Sequence, residues 1–255
     1  MEQFTGHLQH GTTDPAPPIT CYPPSPHTSN QAALIIFPGG AYQGLAEHEG
    51  AGYAEYFTSA GFTCFVVTYR LGPQGHRHPA MLEDALAAIE TVRSRARHFH
   101  VHPGRIGVMG SSAGGHLAAH AMVSSGRVRD SVNLRPDFGV LGYPVINLCG
   151  AYGHGGSCAN LLGENAGDDL KREVSPELHV TAATPPCFLW HTLEDQGVPI
   201  ENSLLYAAEL RRHGVPFELH VYEQGRHGLG LGTTFDWGAD CVRWLRQTIH
   251  RLDQE

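Results

Sequence analysis

Apolar residues are distributed along the chain in two alternating patterns. Short runs, apolar nearly throughout, occupy 32–37, 62–69, 105–109, 138–143, 187–191 and 217–222. Such continuous runs predict strands covered on both faces rather than the in-out alternation of a half-exposed antiparallel sheet. Between them, apolar positions recur at helical spacing over 52–60, 79–96, 113–123, 200–213 and 235–252. Strand and helix in alternation are the signature of βαβ units. The expected architecture is therefore α/β, a mostly parallel central sheet flanked by helices, without internal repeats.

Two stretches escape this pattern. Residues 15–26 read PAPPITCYPPSP, too proline-rich for a helix or a central strand, because each proline fixes φ and removes a donor. Residues 1–30 are expected to form an extended arm or sheet edge. The second stretch, 147–183, contains GAYGHGGSC, whose small and polar residues predict a loop leading into one or two short helices. It is too short for a large lid domain. Because open parallel sheets build their sites from loops at the carboxyl ends of strands, it is a candidate wall of a substrate pocket.

Composition narrows the function classes. With 255 residues, 41% of them hydrophobic, the chain can bury one sizeable core, and a single domain over 1–255 is expected. A formal net charge of −8 argues against a nucleic-acid partner, which would call for clustered Lys and Arg. No apolar run approaches the roughly 20 residues that cross a bilayer. Residues 1–15 lack the basic start and apolar stretch of a secretory signal, so a cytoplasmic location is expected. Cys21, Cys64, Cys149, Cys158, Cys187 and Cys241 form no C-x-x-C pair, and reduced thiols are the default.

The strongest chemical signal is Gly110-Ser111-Ser112-Ala113-Gly114, a G-x-S-x-G motif between an apolar run and a helical stretch. The central serine then sits on a sharp strand-to-helix turn that only small neighbours permit. The helix amino terminus adds a dipole that favours negative charge. Ser111 and Ser157 fail as centres, because Met109 stands two residues before the first and Ala159 two residues after the second. Ser112 is the expected nucleophile.

A serine hydroxyl needs a base within hydrogen-bond reach, and the base needs an orienting acid. Thr192-Leu193-Glu194-Asp195 follows the fifth run, and Gly225-Arg226-His227-Gly228 follows the sixth. Ser, then Asp, then His is one of the chain orders in which such triads occur. His227 is the expected base and Asp195 the expected acid, with Glu194 competing for the same task. Pro38-Gly39-Gly40-Ala41-Tyr42, directly after the first run, supplies a loop for oxyanion donors. Ala113 is expected to give the first N–H, with Gly40 and also Gly39 as candidates for the second.

Other histidines invite a metal reading. His98, His100 and His102 alternate in a loop, and His116 and His120 stand four apart after Ser112. Neither set has Cys or Asp ligands at familiar spacing. Both are read as structural, and neither a metal nor a cofactor is expected.

Together these residues resemble the small bacterial α/β-hydrolases of the acetyl-xylan esterase or carbohydrate acetyl esterase group. The likeness is carried by Phe37 through Tyr42, by Gly110 through Leu117, by Asn160-Leu161-Leu162-Gly163-Glu164, by Thr184 through Thr192, and by Val215 through Gly228. It implies the α/β-hydrolase fold, Ser112, Asp195 and His227 as a triad, and the glycine loop in the oxyanion hole. It further implies cofactor-free hydrolysis of short acyl esters, typically acetyl groups on sugars or xylan, through an acyl-enzyme. Ala41 departs from the third glycine of many relatives. The expected partner is a small-molecule or oligosaccharide ester, since a site without a long lid suits short acyl groups on bulky polar alcohols. A feruloyl or aryl esterase, a small serine peptidase and a non-catalytic binding module are the alternatives.

Overall fold

The computed structural model describes residues 4–7, 17–124, 128–129 and 131–254. The rest of the expected N-terminal arm, 1–3 and 8–16, lies outside the described residues. Two N-terminal strands, β1 (Phe4–His7) and β2 (Pro18–Tyr22), precede the predicted runs. Those runs appear as β3 (Ala33–Phe37), β4 (Thr63–Val67) and β5 (Ile106–Ser111), then, after a small ribbon of β6 (Val128–Arg129) and β7 (Val132–Asn133), as β8 (Phe138–Gly142), β9 (Cys187–Thr192) and β10 (Phe217–Tyr222). The main sheet runs β1-β2-β4-β3-β5-β8-β9-β10, parallel from β4 onward and antiparallel through β1 and β2.

The proline-rich segment is not a sheet edge. β2 is paired on both sides, with β1 and β4. Residues 19–22 are free of proline, and Pro18 takes the strand's first position, where a missing N–H is tolerated. Ile19 and Cys21 turn into the core.

Alternate residues of each central strand feed two layers. In β3, Ala33, Ile35 and Phe37 pack on one side and Leu34 and Ile36 on the other. The second side is covered by Tyr53 and Phe57 of α1 (Glu47–Ser59), and later in the chain by Trp237 and Leu245 of the last helix. The first side is covered by Leu86 of α2 (Ala80–Ser94), by Leu117 of α3 (Ser112–Val123), and by Tyr206 of a later helix. Each fully buried Leu, Ile or Phe contributes about 1.5–3 kcal/mol, which explains why continuous apolar runs were needed.

Helix α1 begins at Glu47 rather than at 52, because Gly50 and Gly52 hide its start from a reading of periodicity. Gly50 belongs there: a Cβ would stand 3.1 Å from Pro38 and 3.2 Å from Val66, so its absence lets α1 close on the sheet. In the insertion, α4 (Gly155–Leu162) starts inside the glycine run because His154 Nδ1 caps it, accepting the Ser157 N–H at 3.1 Å. Next come α5 (Asp168–Glu173), α6 (Glu201–Arg212), which carries Tyr206, and α7 (Trp237–Leu252). All six cysteines are free thiols, and burial pushes Cys21 and Cys64 up to about 12. Among the described residues no helix is long and apolar enough to cross a membrane.

Candidate active site

Ser112 stands where β5 passes into α3, with φ of +54°, a left-handed conformation that costs a non-glycine residue about 1–3 kcal/mol. Its surroundings admit no further bulk. A Cβ on Gly110 would collide with the Gly114 carbonyl, and one on Gly114 with the Phe37 carbonyl; backbone atoms cannot swing aside. Gly114→Ala is accordingly expected to destabilise by about 3 kcal/mol, a drop in Tm of roughly 6–12 °C, although alanine is the better helix former. An unchanged melting temperature would refute this packing argument.

The His227 imidazole lies between Ser112 and Asp195. A carboxylate only accepts, so Nδ1–H donates to Asp195 Oδ2 at 2.7 Å, and bare Nε2 accepts the Ser112 hydroxyl at 2.8 Å. Asp195 Oδ1 accepts the N–H groups of Gly197 at 2.9 Å and Val198 at 2.8 Å. Burial alone would raise this carboxyl. Hydrogen bonds from His191, His227 and the Val198 N–H overcome it and hold Asp195 well below the usual carboxylate range. Glu194 turns away and accepts the Gly225 N–H at 3.1 Å, so Asp195 is the acid at the imidazole. His191, inside buried β9, had no local signal in the sequence. Its Nε2–H donates to the Val198 carbonyl at 3.0 Å and lies 3.4 Å from Asp195, while Nδ1 accepts from the Ser203 hydroxyl at 2.8 Å.

The loop after β3 turns through Gly40, Ala41 and Tyr42, with φ of +128°, +54° and +57°. Its carbonyls are all engaged. Tyr69 donates to Pro38, Ala46 to Gly39, Gln43 and Gly44 to Gly40, the Asn160 amide to Ala41, and Gly72 to Tyr42. The Gly39 N–H is engaged as well, donating to buried Glu49 at 2.8 Å. This corrects the sequence expectation: Gly39 is not available as an oxyanion donor. Its missing Cβ instead lets Glu49 and the Ser111 backbone close in. Gly40 is exposed, and its N–H has no protein acceptor among the described residues. Ala113 lies in the first turn of α3, where N–H groups have no intrahelical acceptor.

The insertion borders this centre. Burial, and then the nearby His227, lower the His154 pKa against the pull of Asp195. Because His154 Nδ1 accepts from Ser157, its proton sits on Nε2. An open cleft of about 590 Å³ adjoins His227, lined by Leu193, Glu194, Gln196, Gly197 and Arg226. Of the other histidines, His116 is buried, accepting from Tyr42 and donating to the Val174 carbonyl, both at 2.7 Å. Burial lowers it to about 4, which keeps it neutral. His102 accepts the Gly104 N–H within its own loop. Among the described residues no cluster of three or more His, Cys, Asp or Glu suits a metal ion.

The BD-FAE family model matches residues 19–210. The chain belongs to the BD-FAE family. Ser112 and Asp195 fall inside the matched span, and His227 lies beyond it. Endo-1,4-beta-xylanase B of Butyrivibrio fibrisolvens is 36% identical over 206 residues, 77% of this BD-FAE chain and 32% of that relative. The acetylxylan esterase of Xylanibacter ruminicola is 33% identical over 230 residues, covering 87% and 46%. The chain thus spans less than half of the length of these curated relatives. Among solved structures, an acetyl ester-xyloside bifunctional hydrolase from Caldicellulosiruptor lactoaceticus matches with a TM-score of 0.86 at 42% identity, covering 91% of this chain and 88% of that one. The BD-FAE chain has the α/β-hydrolase fold.

Proposed function

We propose that this BD-FAE chain is a serine carboxylesterase that removes short acyl groups, acetyl above all, from xylan-derived or other carbohydrate alcohols. The observation that carries the reading is the unbroken hydrogen-bond chain from the Ser112 hydroxyl through His227 to Asp195. As Ser112 Oγ bonds to the ester carbonyl carbon, His227 Nε2 takes its proton, and the N–H groups of Gly40 and Ala113 receive the oxyanion. The imidazolium returns the proton to the alcohol oxygen as the C–O bond breaks, leaving acyl-Ser112. Water then gives a proton to Nε2 and adds to the acyl carbon. The acid departs as Ser112 regains its proton.

The acetyl and xylan parts of the reading are supported by the relatives named acetylxylan esterase and acetyl ester-xyloside hydrolase. The cleft beside His227 supports a polar alcohol, since the polar side chains of Glu194, Gln196 and Arg226 line it. The test is acetate release from acetylated xylo-oligosaccharides, with 4-nitrophenyl acetate and methyl ferulate in parallel. Release from the oligosaccharide is expected. Cleavage of the nitrophenyl ester alone would keep the reaction and discard the substrate, preferential cleavage of methyl ferulate would favour a feruloyl esterase, and silence on all three would end the esterase reading. Within this assay, Gln196→Ala is expected to raise KM for the oligosaccharide about threefold to tenfold, the worth of one hydrogen bond, while leaving KM for 4-nitrophenyl acetate unchanged. Equal effects on both would remove Gln196 from the alcohol side.

A further inference from the structure

One buried carboxylate lies behind the site and takes part in none of these steps. Glu49, 2% exposed, projects from the first turn of α1. Its Oε2 accepts the Gly39 N–H at 2.8 Å and its Oε1 accepts the Tyr143 hydroxyl at 2.6 Å. The Tyr143 oxygen in turn accepts the Gly230 N–H at 2.9 Å, in the loop that carries His227. The Tyr143 ring meets the His227 ring edge-on, with centroids 5.1 Å apart. Burial, and then Tyr53 and Glu49, push the Tyr143 phenol well up, so it stays a donor. The adjacent His48 adds a second tie, its Nε2 lying 3.0 Å from the Gly228 carbonyl.

We infer that Glu49 is a positioning residue which, through Tyr143, holds the oxyanion loop and the histidine loop in register with each other. The inference rests on the proposed ester hydrolysis at Ser112. The two loops follow β3 and β10, which are separated in the sheet by β5, β8 and β9, so no strand pairing aligns them directly. The Pro38–Gly39 peptide is gripped at both polar ends, by Tyr69 on its carbonyl and by Glu49 on its N–H. The Gly39 carbonyl is held in turn by the Ala46 N–H at 2.9 Å, so with both peptide planes anchored the direction of the next N–H, that of Gly40, is set. A carboxylate suits the task because it accepts on both oxygens, from an amide on one side and a phenol on the other. Glutamine keeps one acceptor and turns a donor toward Tyr143, which must then reverse its own hydroxyl.

The test is steady-state kinetics on 4-nitrophenyl acetate with the full chain carrying Glu49→Ala, Glu49→Gln, Tyr143→Phe, or the last two together. A misplacement near 1 Å costs about 100-fold, so Glu49→Ala is expected to lose roughly that in kcat with KM little changed. Glu49→Gln, which retains the volume and the Gly39 contact, should recover about tenfold of the loss and no more, whereas a merely space-filling role would be restored in full. Glu49→Gln and Tyr143→Phe act on one chain of bonds, so the double variant should be no worse than the worse single. If Glu49→Ala fails to fold, the near-isosteric glutamine variant and Tyr143→Phe carry the test. Glu49→Gln and Tyr143→Phe both within about twofold of wild type, or losses that multiply in the double variant, would overturn the inference. A wild type that cleaves no ester overturns the hydrolase reading and this role with it; an active wild type with unaffected variants overturns this role alone.

Discussion

Ser112→Ala is expected to abolish turnover of every ester that the wild type cleaves, with a loss on the order of 10⁶ in kcat. Among the described residues, Ser112 is the hydroxyl hydrogen-bonded to the His227 ring. His227 Nε2 accepts from Ser112, and the neighbouring Ser111 is turned to the Tyr53 hydroxyl at 2.8 Å on the buried side. Alanine at 112 keeps the positive φ and its strain, so the fold should melt within a few degrees of wild type, as surface-scale changes do. What survives should be the small rate that oxyanion donors and binding supply without a nucleophile. A fluorophosphonate, which captures activated serines, should label the wild type and not the variant. A loss smaller than about 100-fold, or labelling that persists, would place the nucleophile elsewhere.

Much of this was legible because the determinants are local. The G-x-S-x-G turn is dictated by sterics within five residues, and the clash of any Cβ on Gly110 with the Gly114 carbonyl is the physical content of the motif. The central strands were legible because burial on two faces requires apolar residues without interruption. What escaped depends on partners far along the chain. Nothing near Pro38-Gly39-Gly40 tells which N–H is free, because the answer lies with Glu49 on the following helix. The proline-rich segment could be read as unable to form a helix, but its pairing on both sides is set by β1 and β4. Glu194 and Asp195 differ only in how their loop turns after β9. Tyr143 did carry a usable sign, since it follows β8 at a carboxyl strand end, where sites in such sheets gather.

Asp195→Asn is expected to cost about 10⁴ in kcat while leaving the geometry nearly unchanged. The reason is which oxygen an asparagine can keep. Oδ1 receives two backbone N–H groups, from Gly197 and Val198, so the amide must leave its oxygen there and turn its NH₂ toward His227. A donor against Nδ1 drives the imidazole proton to Nε2. Nε2–H then faces Ser112 as a donor and cannot take its proton. Glu194 offers no replacement while it holds Gly225. The same contacts have a thermodynamic signature. The Asp195 carboxyl titrates lower in the folded chain than its ordinary value of about 3.9, so near that pH the unfolded chain binds more protons. This stabilisation is complete above roughly pH 5 and is lost as pH falls through the carboxylate range toward the depressed folded value. Urea midpoints measured between about pH 6 and pH 3 should therefore decline more steeply for the wild type than for Asp195→Asn. Parallel declines would mean that the bonds from His191, His227 and Val198 do not hold a charged carboxylate, and a kcat within about tenfold of wild type would remove Asp195 as the group that sets the His227 tautomer.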